Sequence, residues 1–207
     1  MDTSTIFEAE SRLSRQIAFL AEIDKLKDIL RRSLVAGTGR RENSAEHSWH
    51  LAMMALVLME HASVPGINQV RVLKMLLVHD VVEIDAGDTF CYDAAGNATK
   101  AEREMAAARR IFALLPLDQA AEVRELWDEF ELGVTPESRL AQAFDRLQPV
   151  LQNLRTDGAS WRKHGVTKEQ VLAQNRKIGD VLPEIWAGLS RQVEEAFERG
   201  GFAQPMG

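Results

Sequence analysis

The chain has 207 residues, 45% apolar and 27% charged, with a formal charge of −6. That length suits one domain with a substantial core, and the acidic balance argues against a general nucleic-acid surface. The single Cys91 allows no internal disulfide and points to a reducing, cytoplasmic setting. The opening MDTSTIFEAESRLSRQ is charged and lacks an apolar signal core. No apolar run approaches the roughly 20 residues that cross a bilayer, so no membrane partner is expected.

Six prolines, a single tyrosine and long apolar periods predict an all-α chain. Leu13, Ile17, Leu20, Ile23, Leu26 and Leu30 recur at three- and four-residue steps and predict a first amphipathic helix. RSLVAGTGRREN, with two glycines, reads as a loop. Asn43 and Glu46 have the spacing of a capping box, so a second helix should start near Ser44 and stop before Pro65. It is apolar nearly all round, which makes it central. A third helix is predicted from about 68 to 85, ending near Gly87, and GDTFCYDAAGNAT reads as a second loop. KAEREMAAARRIFALL predicts a helix stopped by Pro116, residues 118 to 131 another, and Pro136 opens one through about 155. Its stripe is Leu140, Phe144, Leu147, Leu151 and Leu154. The last pattern runs from about 168 to 200, where Pro183 should kink or split it. The apolar pattern crosses every loop, so one globular helical domain is expected over 1–207.

The stretch LLVHDVVEIDAGDT opens apolar and then places His79, Asp80, Glu83, Asp85 and Asp88 within ten positions. Unpaired charge on a buried helix is costly. On a helix, His79 and Glu83 are four apart and Asp80 and Glu83 three apart, so they share one side. Adjacent His79 and Asp80 point about 100° apart, so an object reached by both must lie between them. A metal ion meets that requirement and removes the cost of the buried carboxylate. Further candidate ligands are His47, at the start of the second helix, and Asp145, on the striped helix. Taken singly, His47 reads most simply as a cap or surface side chain, and Asp145, next to Arg146, as a solvated or paired carboxylate. His50, His61 and His164 read as ordinary side chains. The combination of a His, a His-Asp doublet and a later Asp, each on its own apolar helix, is harder to assign to packing.

The pieces ENSAEHSWHLAMMALVL, KMLLVHDVVEIDAGD and AQAFDRLQPVLQNL resemble the HD-domain superfamily of metal-dependent phosphohydrolases. More closely, they are similar to its compact 5′-deoxynucleotidase-like members. The resemblance covers roughly residues 20 to 155 and implies an HD-type helical bundle. Carried over position by position, it implies metal ligands at His47, His79, Asp80 and Asp145, a catalytic carboxylate at Glu83 and a substrate-side Asp88. Its phosphate-contacting arginine falls on Arg32 or Arg31. Ser33 stands where those relatives carry a Trp, and TFCYD replaces a proline-bearing loop. Both departures touch substrate recognition and leave metal binding intact.

Two imidazoles and two carboxylates suit one divalent ion among Mn, Co, Fe, Zn, Ni and Mg. Residues 81 to 144 contain no further His, which favours a single ion. The expected activity is phosphate release from a small phosphate ester, a (deoxy)nucleoside 5′-monophosphate. An alternative is a phosphodiesterase or other nucleotide hydrolase. Another is a metal-containing regulatory protein without turnover, which would not need Glu83. The apolar stripe from 168 to 200, with Trp186 and Phe197, needs a partner surface, so a homodimer through it or the first helix is expected.

Overall fold

Helix α1 (Arg12–Ile23) begins where the Ser11 side chain accepts the Ser14 N–H. The computed structural model to which it belongs describes residues 11–199. Most of the charged opening stretch and the far end of the last predicted pattern lie outside the described residues. The first apolar period does not continue as one helix to Leu30. A 3-10 segment, Asp24–Asp28, follows α1 and buries Leu26, and the chain is already extended at Ile29.

The predicted loop is a hairpin. Strand β1 (Leu30–Leu34) pairs antiparallel with β2 (Arg41–Asn43), in a register irregular between Leu30 and Leu34. Gly37 and Gly39, both at positive φ, carry the reversal, a conformation open to glycine at little cost. Side chains alternate across a strand. Ser33 is therefore buried and Arg31 largely so, while Arg32 between them is exposed.

Helix α2 (Ser44–Leu58) opens on the predicted capping box: Asn43 accepts the Glu46 N–H, and Glu46 reaches back to the Asn43 N–H. Leu51, Met54 and Ala55 are buried, whereas Trp49, Leu56 and Val57 face outward. Helix α3 (Gln69–Val78) ends one residue before the doublet. The predicted single helix to residue 85 is instead α3, a 3-10 turn (His79–Val82) and a one-turn helix α4 (Glu83–Ala86) closed by Gly87 at positive φ. The tighter winding eclipses side chains three apart, so Asp80 and Glu83 still share a side. Val81 and Val82 are drawn into a core of their own beside Ala108, Ile111, Phe112 and Trp127.

Helix α5 (Ala94–Phe112) starts inside the second predicted loop, capped by Asp93. Helix α6 (Leu117–Leu132) follows Pro116 and is ended by Gly133 at positive φ. Helix α7 (Pro136–Arg155) has Pro136 in its first turn, as predicted. A short α8 (Ala159–His164), unpredicted, is flanked by Gly158 and Gly165, both left-handed. The last pattern is split by Pro183 rather than kinked: α9 (Lys168–Asn175), a 3-10 segment (Arg176–Asp180) and α10 (Pro183–Glu198). Its apolar stripe finds its partner within the chain. Ile178, Leu182, Leu189 and Val193 join Phe144, Leu147, Leu51 and Met75 in the main core, and Phe197 stacks on Trp161.

Candidate metal centre

Three elements bring the four predicted ligands together: the first turn of α2, the 3-10 turn after α3, and the middle of α7. Ligand atoms of His47, His79 and Asp80 all lie within 4.8 Å of one another, and all three residues are buried. His47 Nε2 is 2.9 Å from Asp145 Oδ1 and 3.9 Å from Asp80 Oδ2. His79 Nε2 is 3.1 Å from Asp80 Oδ1 and 3.7 Å from Asp145 Oδ1.

The proton positions on the rings follow from their other partners. His79 Nδ1 donates to the Leu76 carbonyl at 3.0 Å. His47 Nδ1 donates to Gln148 Oε1 at 3.1 Å, because an amide oxygen only accepts. Gln148 is itself fixed by donating to Glu42 Oε1 at 2.7 Å, which Gln152 also meets at 2.7 Å. Each ring thus turns an Nε2 lone pair toward carboxylate oxygens. Lone pairs facing lone pairs in a buried site need a proton or a metal ion between them. His79 Nε2 is buried with no hydrogen-bond partner, as suits an atom that would ligate a metal. Burial opposes a charge on His79, yet Asp80 and Asp145 push its pKa up to about 9. Burial would raise Asp145, but the two histidine rings beside it hold it well below the usual carboxylate range. A field that favours a proton there favours a metal cation too. The donor set fits a divalent ion.

Around this cluster, Ser44 Oγ donates to Glu83 Oε2 at 2.6 Å. Burial, with Asp80 adding to it, pushes the Glu83 pKa well above the ordinary carboxylate value. Arg31 Nη1 donates to Asp80 Oδ2 at 2.8 Å and stands 3.7 Å from Asp88 and 4.0 Å from Glu83. Burial works against the Arg31 charge, but these carboxylates raise its pKa further. Burial also raises Asp88, against the opposing effect of Arg31. The cluster opens into a cavity of about 220 Å³ lined by Arg31, Arg32, Asp80, Glu83, Asp88 and Asp145 on one part and by Phe90, Tyr92, Trp161, Asn153 and Asn175 on another. Every predicted site residue except His47 and His79, which lie buried beneath, lines that cavity. Arg32 does so from the rim, and Asp85 turns away to pair with Arg110.

Sequence reasoning missed Glu42, Ser44, Gln148 and Gln152. A signal existed for Gln148: it interrupts an apolar run three residues after Asp145, on the same helical side. His50, read as ordinary, approaches Gln148 at 3.3 Å.

A buried imidazole pair with two carboxylates beside an open cavity defines a metal-binding helical bundle. The chain belongs to the HD domain family, whose model matches residues 23–186. It is similar to the human 5′-deoxynucleotidase HDDC2, 31% identical over 137 residues, which are 66% of this chain and 65% of that protein. The chain thus spans just under two thirds of that relative's length. A crystal structure from Magnetospirillum magnetotacticum, described as a predicted metal-dependent phosphohydrolase, is 49% identical with a TM-score of 0.89, covering 96% of this chain and all of that one. A Pyrococcus horikoshii protein shares the fold at 23% identity and a TM-score of 0.64, covering 85% of this chain and 99% of its own. The family resemblance read from the sequence is borne out, and it implies a divalent metal. Among the described residues, no helix is long and apolar enough to cross a membrane.

Proposed function

We propose that this chain is a metal-dependent phosphomonoesterase acting on (deoxy)nucleoside 5′-monophosphates, with His47, His79, Asp80 and Asp145 holding one divalent ion. The observation that carries the reading is the pair of fixed Nε2 lone pairs facing two carboxylates beside a cavity that also holds Glu83. A bound ion there supplies Lewis acidity toward a phosphate oxygen and lowers the pKa of water. Nitrogen and oxygen donors suit Mn, Co, Fe, Zn or Ni, and Mg is compatible.

The chain's own groups supply the rest. Ser44 fixes one oxygen of Glu83 and leaves Oε1 for the cavity. Burial and Asp80 push the Glu83 pKa upward, which favours its protonated form, and from there the carboxyl can pass a proton to the leaving alkoxide as the P–O bond breaks. Arg31 offsets part of the cluster's negative charge and presents its guanidinium to phosphate, with Arg32 at the rim. Asp88, beside Arg31, accepts a hydroxyl of the sugar. The name of the human relative supports this substrate class, and that of the Magnetospirillum protein supports the metal-dependent phosphohydrolase reaction.

The test is metal content together with phosphate release from a panel of nucleoside 5′-monophosphates, cyclic nucleotides and phosphodiesters. About one ion per chain and preferential turnover of the monophosphates are expected. Preferential diester hydrolysis, or two ions per chain, would overturn the reading. We further propose a cytoplasmic homodimer. The C-terminal stripe is already covered within the chain, so α1, with Leu13 and Leu20 exposed, is the remaining support for the dimer. Light scattering at micromolar concentration should return twice the chain mass; the mass of one chain would refute it.

A further inference from the structure

Four carboxylates, from Asp80, Glu83, Asp88 and Asp145, crowd one site, and the cation that meets three of them is Arg31. Even with Glu83 protonated, a divalent ion and one guanidinium only balance the three remaining carboxylates and leave no surplus positive charge. A phosphate dianion entering it needs a further cation on the cavity wall. Three basic side chains besides Arg31 line that wall: Arg32, Lys100 and Arg146. Arg146 donates to the Gln174 carbonyl, and Arg32 is exposed at the rim beside a second pocket with His164.

Lys100 differs from both. Its side chain is half-buried on the cavity wall, and it feels the charges of Asp145 and Asp80 across the cavity. One turn on along α5, Glu104 is buried and places Oε1 3.5 Å from Lys100 Nζ. That separation exceeds the roughly 2.8 Å of a tight charge-assisted bond, so the ammonium, with three donors, keeps capacity for another acceptor. Burial pushes the Glu104 pKa up to about 7, with Lys100 acting against it.

Resting on the proposed phosphomonoesterase reading, we propose that Lys100 binds the substrate phosphate and that Glu104 is a positioning residue holding its ammonium at the cavity wall. The site takes the terminal phosphate of the ester before cleavage and inorganic phosphate after it.

The experiment is calorimetric titration of the metal-loaded protein with inorganic phosphate, alongside KM and kcat for a nucleoside monophosphate. Lys100→Met should weaken phosphate binding and raise KM by about 10- to 100-fold, the range for losing a charge-assisted hydrogen bond. Metal content should be unchanged and kcat less affected. Lys100→Arg should recover most of the loss, and Glu104→Gln should lose less than Lys100→Met. A phosphate Kd for Lys100→Met within twofold of the unmutated protein overturns the inference, as does a metal-loaded parent that binds no phosphate. Phosphate binding without turnover of any nucleotide would sink the proposed reaction and leave Lys100 to be judged by the calorimetry.

Discussion

At the residue scale, the cluster separates groups that would hold the ion from a group that would move a proton. Glu83 bonds Ser44 and lies across Arg31 from Asp80, whereas Asp80 faces His79 Nε2 directly. Glu83→Ala should therefore keep the metal and lose turnover by about two to four orders of magnitude. Asp80→Ala should lose both. Metal analysis and phosphate release on the two variants check this, and normal turnover by Glu83→Ala would move the proton-handling role to Asp88. Behind His47, Gln148 fixes the ring proton on Nδ1. Gln148→Ala frees that tautomer and should weaken metal binding by about 10- to 100-fold, read by competition with a chelator. Unchanged affinity would mean that helix packing alone orients the ring.

At the element scale, the site depends on where helices begin and end. His47 lies in the first turns of α2, directly after the cap on Asn43. Asn43→Ala should cost about 1 kcal/mol and lower the Tm by roughly 2–4 °C for a chain of this size; a thermal melt within experimental scatter of the parent would show that the hairpin holds the helix start unaided. The β1 strand decides between two adjacent arginines. Either one is available to a loop, but the two-residue alternation of a strand sends Arg31 to the carboxylates and Arg32 to the rim. The 3-10 turn likewise does what a continuous helix would not: it buries Val81 and Val82 in one core while Met75 and Leu76 stay in the other.

At the scale of the whole molecule, burial sets a pH dependence. Glu104 is buried in the folded chain with its pKa raised to about 7, above the unfolded value. The folded state therefore holds its proton more tightly than the unfolded one. That contribution to stability is full below the unfolded pKa and is lost as pH rises to about 7, by at most ~1.4 kcal/mol per pH unit. Glu104→Gln, which cannot ionise, should melt higher than the parent at pH 8, and the difference should shrink toward pH 4.5. A difference that stays constant across that range would place the ionisation of Glu104 outside the folding equilibrium.

What the sequence by itself determined was the periodic and the local. The helical periods of α2, α6 and α7, the capping box at Asn43, the stops at Pro116 and Gly133 and the opening at Pro136 follow from side-chain spacing and backbone chemistry within a few residues. The His, His-Asp and Asp placements on apolar helices were legible for the same reason, since buried charge needs a partner wherever it occurs. Only the tertiary structure decided the rest. Leu30 became a strand residue because Asn43 lies opposite it, and the stripe of α10 turned inward because α7 was there to receive it. Glu42 and Gln148 are 106 positions apart and acquire meaning only as a bonded pair behind His47. Lys100 and Arg31 likewise reach one cavity from separate elements. Such pairings depend on distances that open only once the helices have packed, and no local pattern encodes them.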